Sequence, residues 1–425
     1  MQRFLFSLAV MFFVLLSAQS QDVEYVRSVI SKLASPAFHG RGYEFRGDKI
    51  AAEYLAIEAE KAGLKPYNSA WFQKYTMSAN THPGKLEVKV DDKILEPGVD
   101  YLLNASSPSF KGTYELAWIN RKVVEYPEAL ENMLANDLKD FFIVVDTAGI
   151  SDQFLKQLIE YIISEKPTKA RGIIEITDGN LTYRPSTIKK KFPLLQLKRG
   201  TITPDNKTVS LHVKSKFHKK YKTQNVIAYL PGKVDTCIVF SAHYDHLGRM
   251  GKETYFPGAH DNASGSAMLL DLARELAKSE NYYSYTFMWF SAEEAGILGS
   301  KYYNEHPLFP LTKIKYLWNL DLVGSGEDGI KVVNGSVFPE TFDRLKALND
   351  ENGFLSKVAA RGAAANSDHH FFSENGVKAF FIYTMGSYKE YHNIFDRADA
   401  VPLSAYNEFY KLLMSFVREV EASKI

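Results

Sequence analysis

Apolar residues recur along this chain in short runs separated by stripes at helical spacing. Cys237 to Ser241, Tyr285 to Phe290, Ile314 to Leu320 and Lys378 to Tyr383 are apolar stretches too short for helices. Each predicts a strand, and runs this continuous suit strands covered on both faces. Between them, Asn262 to Ala277 predicts a helix that turns Met268, Leu269, Leu272, Ala273 and Leu276 inward. Asp48 to Ala62 predicts another, with Ile50, Tyr54 and Ile57 as its repeating apolar positions and Gly63 as its stop. Val209 to Lys214 and Asn225 to Leu230 read as a hairpin. Strands alternating with helices imply an α/β fold: a mostly parallel mixed sheet with helices on both faces.

One stretch has its own rhythm. Phe141 to Val145 and Gly172 to Ile176 are strand-like, Asp152 to Ser164 is an amphipathic helix, and Phe192 to Leu195 begins a further element. This predicts a smaller inserted α/β domain over residues 85–206. The main domain would then comprise residues 21–84 and 207–425. No internal repeat or low-complexity tract is visible.

Composition narrows the class. The chain has 425 residues, 45% hydrophobic and 24% charged, which is an ordinary globular balance. A formal net charge of +1 gives no reason to expect a nucleic-acid partner. Residues 1–20 stand apart: Arg3, an apolar run from Phe4 to Leu16, then Ala18-Gln19-Ser20 as a small-x-small cleavage site. They read as a secretory signal peptide, too short and wrongly flanked for a spanning anchor, so an exported protein (periplasmic or extracellular) without stable membrane insertion is expected. The single cysteine, Cys237, sits in an apolar run and reads as a small buried hydrophobe. With one cysteine, neither an internal disulfide nor a Cys-based zinc site is available, so any metal must be held by His, Asp and Glu.

Candidate chemistry collects where the strands end. In open α/β sheets, sites form in the crevice beyond the carboxyl ends of the strands. His243 and Asp245 follow the first apolar run, Glu293 and Glu294 the second, Asp321 the third, and Tyr391-His392 the loop after the fourth. Asp261 directly precedes the Asn262 helix. His243, Asp261, Glu294, Asp321 and His392 supply two imidazoles and three carboxylates, a donor set suited to a pair of zinc ions. Asp245 lies two residues from His243 on extended chain, so its carboxylate is placed to accept that ligand's other ring N–H. Glu293 is the additional carboxylate that takes a proton from a bound water. Singly, each has a plain alternative: adjacent glutamates commonly begin a solvated helix, and Asp261 is a good N-cap. Together they require several independent coincidences.

The same residues lie in six ordered motifs: Ser241-Ala-His-Tyr-Asp-His, Gly258-Ala-His-Asp-Asn-Ala-Ser-Gly265, Trp289-Phe-Ser-Ala-Glu-Glu-Ala-Gly296, Asn319-Leu-Asp-Leu-Val-Gly324, Ser367-Asp368-His369 and Tyr391-His-Asn-Ile-Phe-Asp396. With these, the chain from about Val209 onward resembles metallopeptidase family twenty-eight, the co-catalytic zinc aminopeptidases related to bacterial leucyl aminopeptidase and glutamate carboxypeptidase II. Phe38-His39-Gly40-Arg41-Gly42 and Ala62-Gly63-Leu64 extend the likeness toward the N-terminus. The resemblance implies a zinc-exopeptidase-like (phosphorylase/hydrolase-like) fold, two Zn2+ per chain and a peptide substrate. It implies that Asp261 bridges the metals, that His243 and Asp321 complete one shell, and that Glu294 and His392 complete the other. Glu293 would be the general base, Asp245 the residue orienting the first histidine, and Tyr391 a donor to the oxyanion. The insert resembles, more weakly, a protease-associated domain. His260 departs from the family, which commonly has an acidic residue there, and reads as a neighbour of the ligands rather than a third imidazole ligand.

Two other functions remain on the table. A glutaminyl-cyclase-like acyltransferase shares the scaffold but works with one zinc, so metal stoichiometry separates it. A non-catalytic binding protein would lack ligands or the base, and none is missing here. Gly324-Ser-Gly326-Glu-Asp-Gly329 spells a dinucleotide fingerprint, but Ile330 to Val333 after it reads as a strand where a helix is required. His246, His369 and His370 are expected near the site without ligating. Lys189-Lys190-Lys191 reads as a solvated turn. Side-chain preference and oligomeric state leave no mark on the sequence.

Overall fold

The four apolar runs lie side by side as parallel strands, in the order Tyr283–Phe290, Val234–His243, Ile314–Leu320, Ala379–Thr384. The coordinates are a computed structural model that describes residues 22–166 and 168–424; the expected leader, residues 1–20, lies outside the described residues. Antiparallel neighbours extend both edges: Lys216–Leu230 pairs with Tyr283–Phe290, and Ile330–Val333 with Ala379–Thr384. Among the described residues the sheet has nine strands.

The runs are continuously apolar because both faces are covered. Ile238, Phe240 and Ala242 enter a core roofed by the helices Val23–Leu33, Gly47–Lys61, Ser264–Leu276 and Tyr406–Ser423. Cys237 and Val239 point the other way, against Met288, Tyr303 and Phe372 beneath the helices Leu298–Glu305 and His369–Glu374. Cys237 is buried and free, as its setting suggested. The mostly parallel mixed sheet covered on both faces is therefore what folds.

Two local expectations are corrected. The helix Gly47–Lys61 forms, but it buries Ala51, Ala52, Leu55, Ala56 and Ala59, whereas Ile57 is 51% exposed. Small residues let this helix approach the core closely; Ile50 and Tyr54 are half-buried against that core, so the apolar spacing found one edge of the buried face and missed its alanine centre. Its Asp48 is buried and accepts hydrogen bonds from the Tyr221 hydroxyl at 2.6 Å and the Thr223 hydroxyl at 3.0 Å. The hairpin does not form either. Thr208–Val213 pairs with Leu86–Val90 and Phe110–Ile119 in a second sheet, while Lys216–Leu230 runs as one long strand of the first. No tight-turn pair separates the two segments, so nothing local forced them to pair with each other.

The second sheet has eight strands among the described residues and runs from Leu86 to Val213, past the boundary drawn at 206. Its centre is parallel: Phe110–Ile119, Phe141–Asp146, Gly172–Thr177 and Leu194–Lys198. The helix Gln153–Glu165 packs on it, its first turn closed by Asp152 accepting the Leu155 N–H at 2.9 Å.

The core of this second sheet is shared with the first domain. Leu247, Met250 and Phe256, from the loop after Val234–His243, join Val88, Tyr101, Leu195 and Leu211, and Ile394 packs against the same cluster. Tyr183 stacks on Phe256 with ring centroids 4.6 Å apart, and its backbone N–H donates to the His392 carbonyl at 2.8 Å. Two loops that carry candidate ligands are thus seated on the second sheet. No helix among the described residues is long and apolar enough to cross a membrane.

Phe256→Ala should cost about 3–5 kcal/mol in denaturant unfolding, because a fully buried ring joining the two units leaves a cavity; a loss below about 1 kcal/mol would contradict the shared core. His82, beside that seam, is buried with its Nε2 3.0 Å from the Ser107 carbonyl, and burial pushes its pKa down to about 4. The unfolded chain therefore binds a proton between pH 6.5 and 4 that the folded chain refuses, and stability falls as pH drops through that window. His82→Asn should flatten this slope by up to about 1.4 kcal/mol per pH unit, read from unfolding curves at a series of pH values.

Candidate metal centre

His243 is the last residue of its strand, and register sets it beside Phe290, three residues before Glu293. Asp321 follows Leu320 directly, and His392 lies in the loop after Thr384. Asp261 comes from the irregular turn Ala259–Ala263 that leads into the helix Ser264–Leu276. The sheet therefore delivers all the predicted positions to one edge. The backbone is strained here: Ala292, Leu322 and His392 have φ of 57°, 58° and 54°, values that non-glycine residues hold only when their surroundings impose them.

The side chains converge. His243 Nε2 lies 3.3 Å from Asp261 Oδ1 and 3.3 Å from Asp321 Oδ1. His392 Nε2 lies 3.1 Å from Asp261 Oδ2 and 3.0 Å from Glu294 Oε2. The two oxygens of Asp261 thus face two different imidazoles. Ligand-type atoms of His243, Asp261 and Asp321 fall within 4.8 Å of one another, as do those of His246, Asp261 and Glu294.

Charge makes this cluster a place for cations. Asp245, Asp261, Asp321 and Asp368 are buried, and Glu293 and Glu294 are partly so, with no lysine among them. Burial, reinforced by Glu294, Asp368 and Asp321, pushes the Glu293 carboxyl well above the usual range despite His243 nearby. Burial disfavours a charged His243 and His392, yet the adjoining carboxylates outweigh it and raise both, His392 to about 11. Each imidazole sits where positive charge is wanted. A nitrogen and oxygen donor set this dense, with no thiolate, fits zinc, which accepts both donor types.

Other predicted residues are present with altered contacts. His243 Nδ1 lies 3.1 Å from the backbone carbonyl of Asp245, while the Asp245 carboxylate is 3.8 Å away. The hydrogen-bond partner of His243 Nδ1 is therefore the main chain, with the Asp245 carboxylate next nearest. The Asp245 carboxylate instead accepts the Glu293 N–H at 3.1 Å and the Tyr43 hydroxyl at 3.3 Å. Tyr391 stacks on His392 with centroids 3.9 Å apart and is 40% exposed, at the open side of the cluster. His246 Nδ1 lies 2.8 Å from Glu294 Oε1, which makes it an immediate partner of that carboxylate. His260 is in neither ligand group; its Nδ1 accepts the Gly324 N–H at 3.0 Å, and burial keeps it neutral. His370 faces Glu374 at 3.5 Å, away from the cluster, and His369 packs on Phe381. The glycine-rich stretch before Ile330 leads into a strand, so no dinucleotide turn exists there.

Two supporting residues were in the quoted motifs without an assigned role. Asp396 accepts the N–H groups of His260 at 2.8 Å and Asp261 at 3.0 Å, which clamps the turn carrying Asp261. Arg41, fully buried, spends its guanidinium on carbonyls only: Tyr244, Leu33, Pro257, Gly258 and Asp261, at 2.6–3.2 Å. That single side chain ties the His243 loop to the Asp261 turn. Burial depresses its pKa to about 10, opposed by Asp396, Asp261, Asp245 and Glu294, and it stays charged. An arginine inside an otherwise small and aromatic stretch was the available signal, but its partners are main-chain atoms that a sequence cannot name.

Arg41→Met should cost more than about 3 kcal/mol in chemical denaturation, since it strands five buried carbonyls. Arg41→Lys should recover only part of this, because an ammonium has three donors. Wild-type stability in Arg41→Met would contradict the clamp.

Comparison with known proteins agrees with the geometry. Residues 225–417 match the profile of Peptidase family M28. A probable leucine aminopeptidase of Trichophyton verrucosum is 30% identical over 178 residues, covering 39% of this chain and 47% of its own. Leucine aminopeptidase 1 of Chaetomium globosum is 28% identical over 290 residues, covering 64% and 70%. The chain spans about half the length of several such fungal relatives. Among solved structures, a zinc aminopeptidase from Bacillus subtilis superposes with a TM-score of 0.66 at 20% identity, covering 94% of each chain. An aminopeptidase from an Aneurinibacillus strain gives 0.60, at 20% identity and the same coverage. At such identity the likeness is one of fold, and it extends over the second sheet as well as the first. The core of this chain, residues 225–417, is thus similar to peptidase family M28.

Proposed function

We propose that this protein is an exported, zinc-dependent aminopeptidase that removes N-terminal residues from peptides with two zinc ions held at the sheet edge. The observation that supports it is the position of Asp261, with one carboxylate oxygen toward His243 and the other toward His392. His243 and Asp321 would hold one ion, Glu294 and His392 the other, and Asp261 both. The relatives named as leucine aminopeptidases support the substrate class. Export rests on the character of residues 1–20.

Zinc, when bound, supplies Lewis acidity toward a peptide carbonyl and lowers the pKa of water. The chain's own groups do the rest. Glu293 is the carboxylate outside the ligand set, and the bond from its N–H to Asp245 fixes its backbone. It would take the proton of the attacking water at a carboxylate oxygen and return it to the leaving amine nitrogen. Tyr391, at the open side, would donate a hydrogen bond from its hydroxyl to the carbonyl oxygen as negative charge develops there. His246 would hold Glu294 in place from the side opposite His392. The second sheet would act as a seat for the ligand loops, since Tyr183 bonds the His392 backbone.

Glu293→Gln should lower kcat by about 10²–10⁴-fold while metal content and fold remain those of the wild type; full turnover in that variant would remove Glu293 from the mechanism. Unblocked leucyl and other aminoacyl amides should be hydrolysed and their N-acetylated counterparts should not, with activity lost to a chelator and restored by zinc. Preferential cleavage of blocked substrates, or turnover indifferent to the chelator, would contradict the aminopeptidase reading.

A further inference from the structure

The second sheet carries a recess of about 770 Å3 between the C-terminal end of the helix Gln153–Glu165 and the segment around Lys190. Lys166, Lys169, Arg171, Lys190 and Lys191 line it with Phe192, and Glu165 is the one carboxylate in the lining. On the same unit Arg121 is paired with Glu125, and Arg199 with Asp146 and Asp178. Among the described residues none of the five lining cations is in an ion pair. Lys166 and Lys190 donate to main-chain carbonyls and lie over the Phe192 ring, 5.4 and 5.2 Å from its centroid. Arg171 covers the Tyr114 ring at 5.5 Å. Lys169, Arg171 and Lys191 are exposed, and Ile188 at the rim is 59% exposed.

Five like charges beside the exposed apolar rim residue Ile188 repel one another until an anion enters. A ligand that offers carboxylates beside apolar side chains matches both features, which is the chemistry of an acidic peptide. The recess is also wired to the metal centre: the segment that reaches Lys190 begins at Tyr183, whose N–H bonds the His392 carbonyl. Seven residue steps span at most about 25 Å. The backbone of Lys190 therefore lies within about 25 Å of Tyr183, a length comparable to that of an extended octapeptide.

We propose that this recess is an accessory site for the acidic, downstream part of a peptide whose amino terminus lies at the metal centre. The proposal rests on the aminopeptidase reading for its orientation, and its binding arm is independent of it. The first measurement uses the full chain and a fluorescent, N-acetylated octapeptide of alternating Glu and Leu, with fluorescence anisotropy as readout in chelator. Binding should weaken at least 10-fold in the triple variant Lys169→Glu, Arg171→Glu, Lys191→Glu and should fall as salt rises. A control with Lys32, Lys301 and Lys357 reversed should bind within 2-fold of wild type. Equal binding by the triple variant, equal binding of the peptide with Gln for every Glu, or tighter binding of a sulfated polysaccharide than of the peptide would overturn the assignment. The second measurement compares kcat/KM for leucine-headed octapeptides with Glu or Gln in the last three positions. The wild type should prefer the Glu peptide at least 5-fold and the triple variant should not, with leucyl amide turnover equal in both. An undiminished preference in the triple variant would overturn the proposal. Failure of the wild type to cleave leucyl amide would count against the aminopeptidase reading alone, leaving the anisotropy result to decide the recess.

Discussion

The constraint on which the rest of this structure depends is the crowding of buried carboxylates at one edge of a parallel sheet. Asp261 stands between His243 and His392, with Asp321 and Glu294 on either flank and Glu293 alongside. Such a cluster is electrostatically expensive unless positive charge compensates it. The buried Arg41 supplies some of that charge, and the imidazoles of His243 and His392 together with these carboxylates are donor types that zinc accepts.

The surrounding architecture serves to hold that cluster in place. Parallel strands put four chain segments in register at the same edge, but their loops come from widely separated parts of the sequence. Arg41 binds the carbonyls of two of those segments, and Asp396 binds the N–H groups of one of them. The second sheet takes the loops from below: Leu247, Met250, Phe256 and Ile394 complete its hydrophobic core, and Tyr183 fixes the backbone of His392. A unit that shares its core with ligand-bearing loops is part of the scaffold of the site.

The parallel strands were legible because their apolar runs are continuous; His243, Glu294 and Asp321 were legible because they follow such runs within a few residues, Asp261 because it directly precedes a helix, and His392 because it lies in the loop after the fourth run. What the sequence concealed depends on main-chain partners or on size rather than polarity. The buried face of Gly47–Lys61 is built from alanines, which hydrophobic spacing underweights. The partner of His243 Nδ1 is the Asp245 carbonyl, an atom present at every residue and so invisible as a signal. Arg41 escaped for the same reason. The strand Thr208–Val213 was assigned to the wrong sheet because strand pairing over long sequence separations is set by tertiary packing, not by local pattern.

The central claim, a pair of cations sharing one aspartate, is tested most directly by counting zinc in the full-length chain, wild type and Asp261→Ala, after saturation and exhaustive dialysis. The account predicts two zinc ions per wild-type chain and loss of both in a folded Asp261→Ala protein. A wild-type chain that retains none, or an Asp261→Ala chain that still retains two, would contradict it.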